Sequence, residues 1–358
     1  MKRRDFFKSF SSLALLGALP SISRAKKNKP EYKWKMVTTW PKNFPGLGTG
    51  AQYLANTINK LSGGRIQVTV YGSGELVPAF EIFDAVSNGV AELGHGSAYY
   101  WKGKNDTFQF FSTVPFGMTA NEMNAWLYKG GGMALWEEAY KDFNLLPMAA
   151  GNTGVQMGGW FNKEINSLSD LKGLKMRIPG LGGEVLKRAG GTPVNLPGGE
   201  LFTALKTGTI DATEWVSPYN DLAFGLHKAA KYYYYPGWHE PGTTLECFVN
   251  KDKYEELPED LKNILLGASK MANIDMLCEI ISKNNEALEV LKNKHQVDIR
   301  SYPEEVLNEL YEISTKVVKE LSLSSDFAKE VYNSYTSFHE KTRNWNEISI
   351  KSYLNTNK

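Results

Sequence analysis

The 358-residue chain is 42% hydrophobic and 22% charged, with a formal net charge of +2. That balance excludes a disordered or fibrous chain and gives enough length for two lobes with separate cores. A charge so near zero also excludes a nucleic-acid binder, which needs a basic surface to meet phosphate.

The first residues, MKRRDFFKSFSSLALLGALPSISRA, place a basic start ahead of an apolar run from about Leu13 to Leu19 and a small-residue stop at Ser23-Arg24-Ala25. A secretory signal is built this way, so residues 1–25 are expected to be removed after Ala25 and the mature chain to reach the periplasm. Arg3-Arg4-Asp5-Phe6-Phe7-Lys8 is similar to a twin-arginine export signal, with Lys2 where a Ser or Thr is usual. Cleavage removes five basic groups and one acidic group, leaving a net charge of −2. No later run approaches the roughly 18 apolar residues of a membrane span, so any transport step needs separate membrane partners.

A charged linker, 26–32, leads into the alternating strand KWKMVTTW, a helix over GLGTGAQYLANTINKLSGG and the strand RIQVTVYG. Ala79, Ile82, Phe83 and Val86 then recur at helical spacing, Gly89 stops the helix, and VAELGHG returns as a strand. This βαβα rhythm predicts a mostly parallel sheet covered by helices. From Leu145 a second cycle reads LLPMAAGNTGVQMGGWF as one strand, LKGLKMRIPG as strand, GGEVLKRAGG as helix, TPVNLP as strand and GGELFTALKTG as helix before TIDATEW. KYYYYPGWHEPG follows, and TTLECFVN reads as a strand returning to the first lobe.

From Pro258 to about Lys294 the pattern is one long amphipathic helix, able to span both lobes. Further helices are predicted from Pro303 to about Leu321 and from Ser325 to about Trp345, the last with no evident partner. The fold class is α/β: a two-lobed, periplasmic-binding-protein-like arrangement with a hinge, a long interlobe helix and C-terminal helices. Its expected parts are lobe I over 33–150, lobe II over 151–242, a return to lobe I over 243–257, the long helix with a following strand and helix over 258–324, and a C-terminal helical segment over 325–358. Cys247 and Cys278 are expected as two buried free thiols.

Enzyme signatures are missing. The five histidines form no HExxH, no G-x-S-x-G elbow appears, and in PGLGGEVLKRAGG the third glycine of a dinucleotide loop would fall at Val185. His95 and His227 read as structural. A carboxylate pair such as Glu214 and Glu240 leaves a secreted glycoside hydrolase open as an alternative, and a ligand-sensing protein that serves a receptor is another. Arg177 alternates with Met176 and Ile178 across a strand, which allows its guanidinium to grip a carboxylate with two parallel bonds. Glu214 is the odd group in TIDATEWVSPYN, a carboxylate in a run built for burial. Trp160, Phe161 and Phe202 are candidates for the cleft wall.

Taken together, GELVPAFEIFDAVSNGVAELG, SAYYW, DLKGLKMRIPG, LPGGELFTALKTGTIDATEWVSPYND, GWHEPGT and FVNKDKYEELPEDLK resemble the solute-binding subunits of tripartite ATP-independent periplasmic (TRAP) transporters, in the branch that takes 2-oxo or 2-hydroxy monocarboxylates. The likeness runs in order along nearly the whole mature chain. It implies a non-enzymatic protein that delivers a small carboxylate to TRAP membrane permease subunits. It further implies that Arg177 binds the ligand carboxylate, that Tyr99 and Tyr100 approach from lobe I, and that Gln156, Glu214, the Trp215 main-chain oxygen and Glu240 hold a cation beside the ligand. A homodimer through the C-terminal helices is implied as well. His239 stands where an aromatic is frequent.

Charge gives that set its purpose. In a dry cleft, Glu214 and Glu240 would repel a third carboxylate strongly. With Arg177 counted, Na⁺ halves the remaining negative charge and Ca²⁺ cancels it, and all-oxygen donors suit such hard ions rather than zinc or copper. On this reading, Glu214→Gln costs metal-linked binding but little of the fold.

Overall fold

The computed structural model describes residues 29–356; the predicted export signal lies outside them, as do 26–28 and 357–358. Strand β1 (Tyr32–Thr38) buries Trp34 and Met36 at alternate positions. After helix α1 (Leu47–Leu61), the edge strand β2 (Ile66–Tyr71) keeps strict alternation, with Ile66, Val68 and Val70 inside. Helix α2 (Ile82–Ser87) and β3 (Leu93–Gly96) complete the anticipated cycle. The next stretch, for which the sequence offered no assignment, forms α3 (Phe108–Ser112), α4 (Ala120–Lys129) and α5 (Gly132–Tyr140). These short helices bury Phe108, Phe110, Phe111, Trp126, Trp136 and Tyr140 in one aromatic cluster with Phe83 and Phe248.

The predicted single strand over 145–161 is two. Strand β4 (Leu145–Asn152) belongs to one sheet and β5 (Gly159–Phe161) to the other, and the intervening loop carries the chain between them. The second sheet gains β6 (Lys175–Arg177), α6 (Gly180–Arg188), β7 (Thr192–Val194), α7 (Leu201–Lys206), β8 (Ala212–Thr213), α8 (Pro218–Phe224) and β9 (Tyr232–Tyr235). Strand β10 (Thr244–Asn250) then returns to the first.

The strand orders are β2-β1-β3-β10-β4 and β11-β9-β5-β8-β6-β7, where β11 is Asp298–Ser301. Both sheets are mixed rather than mostly parallel. In the first, β1 runs parallel to β2 and β3, but β10 is antiparallel to β3 and β4. In the second, β5 is antiparallel to β8 and β9. The βαβ rhythm holds only while the chain stays in one lobe; a strand that has just crossed over enters from the opposite end.

After the short helix α9 (Lys251–Glu255), helix α10 (Glu259–Glu289) runs 31 residues, about 46 Å. Leu261, Leu265, Ala268 and Ala272 join the first lobe's core with Leu54, Met148 and Ala150. Met276 and Ile280 join a second core with Trp40, Trp160, Trp215 and Tyr233. The helix therefore belongs to both lobes. It is less amphipathic than its sequence suggests, because Met271, Ile274 and Ile281 lie on the outer side and are exposed. Cys278 shares that exposed side, which corrects the expectation of two buried thiols; Cys247 is buried and both are free. Among the described residues no helix is long and apolar enough to cross a membrane.

Helix α11 (Glu304–Leu321) is followed by α12 (Asp326–Asn346), which does have a home. Val331 and Tyr335 are buried, Tyr335 packs on Phe110 and Trp126, and its hydroxyl accepts a hydrogen bond from the Met118 amide at 2.9 Å. Beyond Asn346 the apolar side chains Ile348, Tyr353 and Leu354 are exposed.

Candidate functional site

The polar groups singled out in the sequence come from strand ends and crossover loops, where an α/β sheet leaves room for a ligand. Tyr99 and Tyr100 lie on a short turn, Ala98–Trp101, just after β3. Arg177 ends β6, Glu214 and Trp215 follow β8, Gln156 lies in the β4–β5 crossover and Glu240 in the β9–β10 crossover. The fold brings all seven together, although they are spread over more than a hundred residues of chain.

Arg177, Glu214, Glu240, Gln156 and Trp215 are all buried, and Tyr100 is half-buried. The Arg177 guanidinium forms an ion pair with Glu214, donates to the Leu196 carbonyl at 3.1 Å and to the Tyr100 hydroxyl at 3.2 Å, and lies 5.2 Å over the Trp215 ring. Burial is the largest single influence and works against that charge, but Glu214, Tyr100, Tyr99 and Glu240 together outweigh it, so Arg177 is held protonated above its ordinary value. Glu240 accepts from the Gln156 amide at 2.7 Å and from the Thr243 hydroxyl. Burial first, and the neighbouring Glu214 second, push its carboxyl well above the usual range. The site thus concentrates negative charge that one guanidinium does not balance.

Two main-chain and side-chain oxygens are left over. Gln156 Oε1 is buried without a hydrogen-bond partner, and among the described residues the Trp215 carbonyl accepts no main-chain hydrogen bond. Orphaned acceptors in a dry interior are costly unless something cationic meets them. Together with Glu214 and Glu240 they make an oxygen-rich donor set of the kind that holds Na⁺ or Ca²⁺. Gly237 keeps the two crossover loops together: its amide donates to the Gln156 carbonyl at 2.9 Å, and a Cβ there would collide with that same carbonyl.

Beside these groups lies a cavity of about 240 Å³, lined among others by Tyr99, Tyr100, Ile178, Gly180 and Val194. Trp160 and Phe161 do not wall it. Trp160 stacks on Tyr233 within the core and Phe161 packs edge-on against Tyr234, and Phe202 is likewise absent from the cavity lining. His95 is structural, its Nδ1 accepting from the Trp40 indole at 2.9 Å.

Three further groups support the candidate site; the sequence marks His239 only as a departure from an aromatic and does not single out Asp221 or Glu246. His239 lies beside Glu214, with Nε2 3.4 Å from Oε2. Asp221 accepts from the Val216 amide at 3.1 Å, the Trp160 indole at 2.9 Å and the Tyr233 hydroxyl at 2.7 Å, which fixes the stretch after β8 that contains Trp215 and Val216. In the first lobe Glu246 does the same for the tyrosine turn, accepting from the Trp101 indole at 2.6 Å and the Tyr140 hydroxyl at 2.7 Å. The only signal for either acid was a carboxylate inside an otherwise buried run.

Burial pushes the Glu246 carboxyl up to about 7 and that of Asp221 likewise to about 7. Each group therefore binds its proton more tightly folded than unfolded. The stability that this contributes is complete below the unfolded value, roughly pH 4, and is lost as pH rises through the folded one. The melting temperature is expected to fall from about pH 5 to about pH 8, and Glu246→Gln to remove part of that fall. Calorimetry across this range checks it, and an unaltered slope in the variant would exclude Glu246 as a source.

Comparison with known proteins matches residues 36–324 to the family DctP, bacterial extracellular solute-binding protein, family 7. A monocarboxylate 2-oxoacid-binding periplasmic protein of Nostoc sp. is 41% identical over 99% of this chain and 98% of its own. A TRAP periplasmic solute-binding protein of Pseudoalteromonas atlantica, solved with bound sodium and pyruvate, is 42% identical and superposes with a TM-score of 0.89, covering 92% of this chain and 100% of that one. Its counterpart from Colwellia psychrerythraea, solved with bound calcium and pyruvate, is 44% identical with a TM-score of 0.88, over 92% and 99%.

Proposed function

Since the chain belongs to the DctP family, bacterial extracellular solute-binding protein family 7, we propose that it captures a small 2-oxo or 2-hydroxy monocarboxylate of pyruvate's kind outside the cytoplasm, together with Na⁺ or Ca²⁺, for delivery to a TRAP permease. The family is one of binding receptors, so the carboxylate-pair hydrolase is set aside. Relatives that hold pyruvate with sodium and with calcium support the ligand class and the ion class together.

One observation carries the reading to this chain's own residues: two buried glutamates lie together beside one arginine, and the neighbouring Gln156 Oε1 is a buried acceptor without a partner. On this reading Gln156, Glu214, the Trp215 carbonyl and Glu240 hold the cation, which supplies the positive charge that lets an anion enter. Arg177 and the Tyr100 hydroxyl take the ligand carboxylate, and Tyr99 closes the pocket from lobe I. Arg177 is engaged with Glu214 in the arrangement described above. As Glu214 turns its carboxylate to the cation, the guanidinium fork is released for the ligand, so each ion favours the other's binding.

Thermal unfolding tests this. In a buffer free of sodium and calcium, pyruvate alone should leave the melting temperature unchanged. Adding either ion should make pyruvate stabilising by several degrees, since ligand at a hundredfold excess over Kd adds about 2.7 kcal/mol. Stabilisation by pyruvate without any cation would sink the reading.

The reading extends to a homodimer through the C-terminal segment, supported by Trp345, Ile348, Tyr353 and Leu354, which are exposed at 60% or more. Such a cluster at a chain end calls for a covering surface. Deleting residues 347–358 should convert the dimer to a monomer in light scattering with pyruvate affinity retained; a wild-type chain that is already monomeric would remove this part. Export by the twin-arginine route belongs to the same reading and concerns residues outside those described.

A further inference from the structure

The donor set implied by the sequence is all oxygen, but the fold adds a nitrogen. Glu214, His239 and Glu240 each offer a ligand atom, and the three lie within 4.8 Å of one another, all buried. A wall position explains an aromatic at 239, not an imidazole. Packing against Trp238, at 5.3 Å between ring centroids, would serve any flat ring.

Nor is the imidazole fully occupied by hydrogen bonds. Its separation of 3.4 Å from Glu214 is beyond the usual range for an N–H···O bond, and Nδ1 is buried with no partner. One ring nitrogen is thus unpartnered and the other makes only a long contact, which is unusual for a histidine that is only 1% exposed. The separation does suit two donors on one ion: adjacent tetrahedral ligands at about 2.1 Å from a metal are about 3.4 Å apart. Octahedral oxygen ligands at about 2.4 Å from Ca²⁺ give the same edge, so the distance fits either ion and the nitrogen is what discriminates. Imidazole suits zinc, cobalt and nickel and adds little for Na⁺ or Ca²⁺.

We propose that His239 is a metal-selecting donor of the cation site, which with Glu214 and Glu240 lets the pocket hold a nitrogen-accepting divalent ion as well as a hard one. The inference rests on the cation-site reading above and goes beyond it in naming a second class of metal. Its consequence is a pocket whose preference among ions is set by one side chain.

Co²⁺ is the probe, because its visible absorption reports nitrogen ligation and coordination number directly. Metal-stripped protein titrated with Co²⁺ should show a single saturating site with strong visible bands, displaced by excess Ca²⁺. In His239→Phe those bands should collapse, and the preference for Co²⁺ over Ca²⁺ should fall at least about tenfold, the scale on which a missing metal-site partner is felt. His239→Gln, which returns an oxygen donor and guards against a packing defect in the Phe variant, should show the same shift in preference. The proposal is overturned if the wild type takes up no Co²⁺, or if either variant keeps the wild-type spectrum and ion preference. Pyruvate with Ca²⁺ is measured in parallel by thermal unfolding: if it fails to stabilise a wild type that shows the Co²⁺ site, the monocarboxylate reading falls while the metal inference stands.

Discussion

Arg177→Ala is expected to weaken pyruvate binding by at least about a hundredfold, because truncating one partner of a buried, hydrogen-bonded charge pair costs about 2–5 kcal/mol. The loss has two parts. The ligand carboxylate loses a fork that a shorter donor does not replace, and Glu214 loses the cation it is paired with in the absence of ligand. The second part makes the variant less stable by several degrees before any ligand is added, since Glu214 then faces Glu240 unscreened. Ca²⁺ should restore more of the melting temperature in Arg177→Ala than it adds to the wild type, because the uncompensated negative charge is larger. Arg177→Lys keeps the charge but not the planar pair of donors, and is expected to recover stability while recovering little affinity. Titration calorimetry with pyruvate and thermal unfolding with Ca²⁺ separate the two parts; an alanine variant that binds pyruvate as tightly as the wild type would remove Arg177 from the ligand.

The second large effect is expected at Glu214. In Glu214→Gln the cation site keeps its shape but loses half of its side-chain charge. Ca²⁺ should then no longer shift the melting temperature, and pyruvate affinity at saturating Ca²⁺ should fall about a hundredfold or more. The reciprocal coupling is the more telling readout: in the wild type Ca²⁺ raises pyruvate affinity by the factor by which pyruvate raises Ca²⁺ affinity, and in the variant both factors should approach one. The structure also revises what the sequence suggested about the fold. Arg177 is 1% exposed and Glu214 is its counter-ion, so the substitution leaves a buried guanidinium unpaired, at a cost of about 3–5 kcal/mol. A Gln variant that retains cation dependence would show that Glu214 serves only to neutralise Arg177.

Much of this site was legible only through the resemblance to TRAP solute-binding subunits. Arg177 at the end of a short alternating strand and Glu214 in a run otherwise made for burial are each weak signals alone, and Gln156, the Trp215 carbonyl, Glu240 and the two tyrosines have no local signature at all. The fold-level rhythm was legible from the residues themselves, because alternation and helical spacing are properties of neighbouring residues. Strand direction was not, because β10 runs against β3 and β4 only as a result of two crossings between lobes. The helices α3 to α5 were missed because an aromatic-rich stretch with short segments gives no sustained period. Glu246 illustrates the remaining limit, for its partners Trp101 and Tyr140 lie 145 and 106 positions away. His239 was visible as a departure from an aromatic, yet its nearness to two carboxylates is a product of loops meeting, and spacing along the chain carries no trace of it.

Helix α10 bears on how such a molecule moves. A rod whose two halves are embedded in different cores cannot behave as a slack tether, so parting the lobes must flex it or slide its contacts. Met276 suits such sliding: its unbranched thioether lies against Gly50 and Gly151, positions where any Cβ would collide with it, and a supple chain on a smooth bed can shift without breaking a jigsaw fit. Opening and closing are therefore coupled to this one rod, which has residues buried in both cores and cannot stay a bystander to either.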